Sequence, residues 1–207
     1  MNVVAPRPAP ANALAVLRDA GAEIVEVRLP NTEEHALDQL SRIISGAESA
    51  SAHEDNLDRL DGLSELASQR LLANLTITAV DYLRAMRLRH LVQLDFESMF
   101  EEVDAVIAPT TAAVAPRLDD GLAQVGARSL PWLEIAAGTT SVGNLAGIPA
   151  LAIPAGFSRA GLPIGIQVMA RPFAETTCFR VGAAFQALTD HHLQVPPLTA
   201  AIKGAQR

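Results

Sequence analysis

The chain has 207 residues and a formal net charge of −7, from 23 acidic residues against 16 basic ones. Hydrophobic residues make up 49% and charged residues 19%, apolar enough to bury a core and too apolar for wholesale disorder. The acidic balance argues against nucleic acid as a partner, because phosphate binding needs a basic face. The lone cysteine, Cys178, excludes an internal disulfide framework and a cysteine-based zinc site.

No long run is free of charges and of Pro or Gly breaks, so no membrane-spanning helix is expected. Residues 1–10 are rich in Pro and Ala without a continuous apolar stretch. That is not a secretory-signal pattern, and the cytoplasm is the expected compartment. Fifteen of the 16 basic residues are Arg, and the only lysine is Lys203. A mechanism that needs a central lysine therefore has none to use here.

In chain order, Asn12 is placed to cap a first helix that carries Leu14, Val16 and Leu17 and ends at Gly21. Residues 22–29 alternate as a strand closed by Pro30. Thr32-Glu33-Glu34 opens a second helix, with Leu37, Leu40, Ile43 and Ile44 at helical spacing. It continues, with breaks, past Glu48 toward Leu60, and the acid-rich stretch 48–61 reads as a solvated helix face. Thr78-Ala79-Val80-Asp81 has the form of a capping box. A long helix runs from it to about Glu102, with Leu83, Met86, Leu91, Leu94 and Met99 as its expected apolar side.

A short strand over 103–108 stops at Pro109, and 109–129 reads as a turn-rich surface loop. Residues 131–145 predict a helix, 149–157 and 163–170 two strands joined by a tight turn. Residues 175–190 predict a final helix with Phe179, Val181, Phe185 and Leu188 toward the core. The tail after Leu193, with its prolines, is expected to be loose. Helices alternate with nearly all-apolar strands, the pattern of an α/β sandwich whose strands are covered on both faces.

Familiar chemical motifs are absent or incomplete. Gly138-Thr139-Thr140-Ser141-Val142-Gly143 has one residue too many before its serine for a nucleophile elbow. No Walker loop or dinucleotide fingerprint exists. His191 and His192 are adjacent, so on a helix they diverge and make no natural chelate. Cys178 sits in an apolar helix pattern, which reads as buried and inert.

Two segments are less ordinary. Ala108-Pro109-Thr110-Thr111 lies just past the carboxyl end of a strand, where open α/β sheets bind ligands. Asn144-Leu145-Ala146-Gly147-Ile148-Pro149 joins a helix to a buried strand, and Asn144 offers both donors and acceptors there. Satisfying a helix end is an equally ordinary role for such an Asn.

These residues carry a resemblance. Asn144-Leu145-Ala146-Gly147-Ile148-Pro149-Ala150, Ile153-Pro154-Ala155-Gly156-Phe157 and Gly161-Leu162-Pro163-Ile164-Gly165-Ile166-Gln167 resemble the C-terminal block of amidase signature enzymes. Asp104 to Thr111 is similar to that family's preceding strand and loop. Asp81-Tyr82-Leu83 with Arg87 and Arg89 is similar to its long helix, and Leu17 through Pro30 to its helix–strand step. The pieces are collinear over about residues 10–192.

The resemblance implies a partial α/β/α sandwich with a mixed sheet, as in the C-terminal half of those enzymes, over residues 1–193, followed by a loose tail, 194–207. It also implies C–N hydrolysis of a linear amide through a Ser–cis-Ser–Lys triad, without metal or organic cofactor. A serine attacks the amide carbon, a second serine relays the proton, and a neutral buried lysine is the base.

This chain supplies no such triad. Ser45-Gly46-Ala47-Glu48-Ser49 does not substitute for the family's Gly/Ser-rich loop, and Lys203 does not match its lysine. No catalytic residue is assigned, and the chain alone is expected to be inactive. Arg89 matches an arginine that binds the substrate carboxylate in the amidase-type components of glutamine-using amidotransferases; its ordinary alternative is a surface arginine. Ile135-Ala136-Ala137-Gly138 stands where those components tend to carry an Asp, with Glu134 only nearby, which favours a less polar amide. Thr110, Thr111 and Asn144 would line or shape the pocket. The expected partners are a small-molecule amide, if a separate N-terminal half completes the site, and another chain that pairs with exposed sheet edges. The alternative is a non-catalytic binding protein.

Overall fold

The computed structural model describes residues 2–4, 11–25 and 34–196. Strands β1 (Asn2–Val4), β2 (Glu23–Val25), β3 (Ala105–Pro109), β6 (Ala150–Phe157) and β7 (Pro163–Met169) form one sheet, in the order β2-β1-β3-β7-β6. β1 runs parallel to β2 and to β3, while β7 is antiparallel to β3 and to β6. The sheet is therefore mixed. β1 falls in the Pro/Ala-rich N-terminal segment, for which the sequence predicts no element.

β3 shows why both faces are apolar. Ala105 and Ile107 pack with α1 (Ala11–Asp19) and α6 (Glu175–Ala187) through Leu17, Val181 and Phe185. Val106 and Ala108 point the other way, as the period of two requires. They pack with α2 (Glu34–Ala52), α4 (Ala79–Glu102) and α5 (Trp132–Ala146) through Leu40, Ile44, Phe96, Phe100 and Leu145. A strand covered twice tolerates no polar face.

The capping box forms. The Thr78 hydroxyl accepts from the Asp81 N–H at 3.1 Å, and the Asp81 carboxylate accepts from the Thr78 N–H at 3.3 Å and from its hydroxyl at 2.6 Å. These bonds hold the Asp81 carboxyl below its ordinary pKa. Removing the hydroxyl leaves the first turn of α4 uncapped, so Thr78→Ala is expected to lower the Tm by about 2–4 °C, read by circular dichroism.

Four expectations change. On α4 the buried residues are Ala85, Val92, Phe96, Met99 and Phe100, while Leu83, Leu91 and Leu94 are exposed. The expected apolar side is thus the outer one, apart from Met99 and the partly buried Met86. On α6 the core face is Cys178, Val181, Gly182 and Phe185, with Phe179 and Leu188 exposed. A Cβ on Gly182 would sit 2.7 Å from Leu151 Cδ2, so close helix–strand approach sets that face. The 109–129 loop contains strand β4 (Leu122–Val125), paired with β5 (Arg128–Pro131) as a separate hairpin. The second helix stops at Ala52. A 3-10 helix, Glu54–Gly62, and α3 (Glu65–Asn74), capped by Ser64, follow it.

Candidate functional site

β3 delivers Thr110 and Thr111 at its carboxyl end, where α5 crosses. The Thr110 N–H donates to the Gly165 carbonyl at 3.0 Å, extending the β3–β7 ladder by one residue. The Thr110 carbonyl accepts from the Thr139 hydroxyl on α5 at 2.6 Å. Gln167 on β7, 5% exposed, closes this junction. Its Nε2 donates to the Pro109 carbonyl and to the Thr139 carbonyl, each at 3.1 Å. Three elements are locked together here by side-chain bonds to backbone carbonyls.

The Thr110 hydroxyl is buried and has no partner among the described residues. It faces Gly165, where an added Cβ would lie 3.0 Å away. A buried, unmatched hydroxyl is a donor and acceptor held ready beside a strand end. Thr111 is engaged locally, its hydroxyl donating to the Ala113 carbonyl at 2.8 Å.

Arg89 stands at the other end of α5. Its Nε donates to the Leu145 carbonyl at 2.9 Å, and Gln93 Nε2 reaches the Ala146 carbonyl at 3.4 Å. Gly147, at φ 71°, reverses the chain there, and its N–H returns to the Gly143 carbonyl at 2.9 Å. A cation on the last carbonyls of a helix is favourable by hydrogen bonding and by the helix dipole. A cleft of about 340 Å³ opens beside this end, lined by Gln93, Phe96, Gly147 and Pro172 among others.

Asn144 is exposed on the turn of α5 between these two ends. Thr139 and Leu145 are six residues apart, about 9 Å along the helix. The four residues singled out by sequence therefore all meet α5 or its contacts, Thr110 at one end and Arg89 near the other. Sequence reasoning misses Thr139 and Gln167 as the residues that tie the junction. The one signal for them is a polar residue inside the apolar run of β7.

The remaining nucleophiles and titratable groups have ordinary roles. Ser141 lies inside α5, 4% exposed, and not on a strand-to-helix turn. Ser45 to Ser49 is an internal stretch of α2. Burial, aided by the Glu175 carboxylate, pushes the Cys178 thiol up, away from the thiolate. The His191 ring rests against Phe157 and Phe185, centroids 6.2 and 6.4 Å away. Among the described residues no group of three or more His, Cys, Asp or Glu could hold a metal ion, and no helix is long and apolar enough to cross a membrane. Lys203 lies outside the described residues.

Known proteins share this sequence and fold. The amidase-type (A) component of glutamyl-tRNA(Gln) amidotransferase from Chloroflexus aurantiacus is 36% identical over 218 residues, covering 90% of this chain and 42% of the relative. The fatty acid amide hydrolase of Medicago truncatula is 34% identical over 180 residues, 86% of this chain and 29% of its own. Among solved structures, a vestigial protein complex that bears on the origins of an s-triazine catabolic enzyme superposes with a TM-score of 0.76 at 27% identity, over 90% of this chain and 42% of that one. The chain thus spans less than half the length of the relatives it matches. The family profile described as Amidase matches residues 7–179, and the chain belongs to the amidase signature family.

Proposed function

We propose that this chain is the C-terminal part of an amidase signature hydrolase, a partial α/β/α sandwich that contributes scaffold and substrate pocket to C–N hydrolysis of a linear amide. The observation that carries the reading is the extent of the match: 90% of this chain against 42% of the relative. In this reading the serine nucleophile, its relay and the lysine base come from the remainder of the domain. Arg89, Thr110, Thr111 and Asn144 contribute to the pocket from this side. Arg89 orients the end of α5 through Leu145 while its guanidinium stays near Gly147. The Thr110 hydroxyl meets the substrate or the covering segment.

One observation favours half of a split enzyme over a free-standing binding protein. Val80, Leu83, Leu91 and Leu94 are exposed on the outer side of α4, opposite its core face. A helix apolar on both sides is made to be covered on both.

The test is ammonia release from benzamide and from glutamine by the purified chain. The expected result is no release above the buffer rate, for the chain and for Lys203→Ala alike. Robust turnover that survives Lys203→Ala would overturn the missing-triad reading, because no lysine would then remain.

A further inference from the structure

β6 ends the five-stranded sheet, and its outer edge has no partner among the described residues. Two hydrogen bonds fix which of its backbone groups face outward. The Ala170 N–H donates to the Pro149 carbonyl at 3.3 Å, on the β6 side of β7. The Thr110 N–H donates to the Gly165 carbonyl, on the β3 side. Antiparallel ladders alternate, so β7 residues 166, 168 and 170 bond β6, while 165, 167 and 169 bond β3. Leu151 and Ile153, opposite Val168 and Ile166, are therefore the inward pairs. The N–H and C=O groups of Ala150 and Ala152, and the Pro154 carbonyl, point away from the sheet.

This edge is open for pairing. Its eight residues, ALAIPAGF, carry no charge. Edge strands that face water are commonly blunted by charge, by Pro or by bulges. Here the Pro and the bulge fall at Pro154/Gly156 and leave the stretch from Ala150 to Ala152 unprotected. The absent N–H of Pro154 lies on the open side, so it weakens no bond within the sheet.

The strand is also unevenly covered. Leu151 packs under Gly182 of α6, whereas Ala150 and Ala152 are exposed on the opposite face. α5 reaches that face only at Gly143, where an added Cβ would lie 3.9 Å from Ala150 Cβ. The next residue, Asn144, is exposed. An occupant of this edge therefore meets backbone groups from Ala150 and Ala152 together with the Asn144 carboxamide.

We propose that the free edge of β6 is the seam of the domain: an extended segment from the remainder of the amidase domain adds a strand there, bonding Ala150 and Ala152 and packing beside Asn144. The occupant is argued from length, since the relatives carry more than half of their sequence outside the 42% that this chain spans. The inference rests on the reading above and adds where the two parts join. The chemistry is β-strand addition, with main-chain bonds supplying the affinity.

The test co-expresses the 207-residue chain with the part of the Chloroflexus aurantiacus relative that the match leaves uncovered. Amide exchange is read by NMR on the chain alone and in the complex. In the complex, the Ala150 and Ala152 amides are expected to exchange at least about tenfold more slowly, with Leu151 unchanged. Ala152→Pro removes one outward N–H and none that bonds β7, and is expected to abolish co-purification, whereas Ala152→Val retains it. A complex in which both amides exchange as in the free chain overturns the seam and leaves the split-enzyme reading standing. Failure of the wild-type chain to form any complex overturns both. Protection of the two amides in a dimer of the chain alone overturns the assigned occupant and makes it a second copy.

Discussion

Phe100→Ala is expected to destabilise the protein by about 3–5 kcal/mol, a loss of roughly 10 °C in Tm or more. Phe100 is 1% exposed and sits in the last turn of α4, one step before β3. Its ring lies 6.2 Å from that of Phe96, tilted by 44°. Both belong to the core that joins Leu37, Leu40 and Ile44 of α2 to Val106 of β3. Truncation removes the apolar transfer energy of the ring and leaves a hole that helix and strand backbones cannot close. Leu91 provides the control. It stands nine residues earlier, half a helical revolution away at 3.6 residues per turn, and is 55% exposed. Leu91→Ala should fall within about 0.5 kcal/mol of wild type in the isolated chain. Urea denaturation of both variants decides the matter. Equal losses at the two positions would mean that the faces of α4 are misassigned.

That pair also shows what is legible in the sequence. The existence of α4, its capping box and its end near Glu102 are all readable, because each depends on residues within one or two turns. Its orientation is not. Leu83, Leu91 and Leu94 repeat at helical spacing, and so do Val92, Phe96 and Met99. A period of 3.6 gives spacing, and only a partner gives phase. α6 fails for a related reason. Phe179 outweighs Gly182 on any hydrophobic scale, yet Gly182 faces the core because Leu151 needs its space. The strand pair β4–β5 is lost inside a loop because each strand has only four residues around Gly126. β3, β6 and β7 are legible because they are short apolar runs bounded by Pro and Gly. At the candidate site the motif residues Thr110 and Asn144 can be named from their place after a strand and before one. The bonds that organise the junction join Gln167 to Pro109 and Thr139, 58 and 28 residues away. No local pattern encodes a partner at that distance.

Gln167→Glu is the sharpest probe of that junction, because it keeps the shape and reverses the hydrogen bonding. The native carboxamide gives two N–H donors to two carbonyls in a place that is 5% exposed. A carboxylate there has no donor and faces two carbonyl oxygens without water. The protonated acid keeps one donor and loses the other. Burial and the carbonyl dipoles therefore hold the native pKa of the introduced carboxyl above its unfolded value of about 4.3. Between those two values the native state binds the proton and the unfolded state does not, so stability falls as pH rises. The loss relative to wild type should be smallest at pH 4–5, about 1–3 kcal/mol for one lost donor. It should grow to about 3–5 kcal/mol at pH 7, where an uncompensated charge must be buried or the structure must open. Gln167→Leu removes both donors and adds no charge, so its loss of about 1–3 kcal/mol should not vary with pH beyond the wild-type trend. Urea melts of the three proteins at pH 5 and pH 7 separate the cases. A pH-independent penalty in Gln167→Glu would show that water reaches the junction. In that event Thr110 and Thr139 would not be held by Gln167, and the carboxyl end of β3 would not be the rigid shelf on which a pocket can be built.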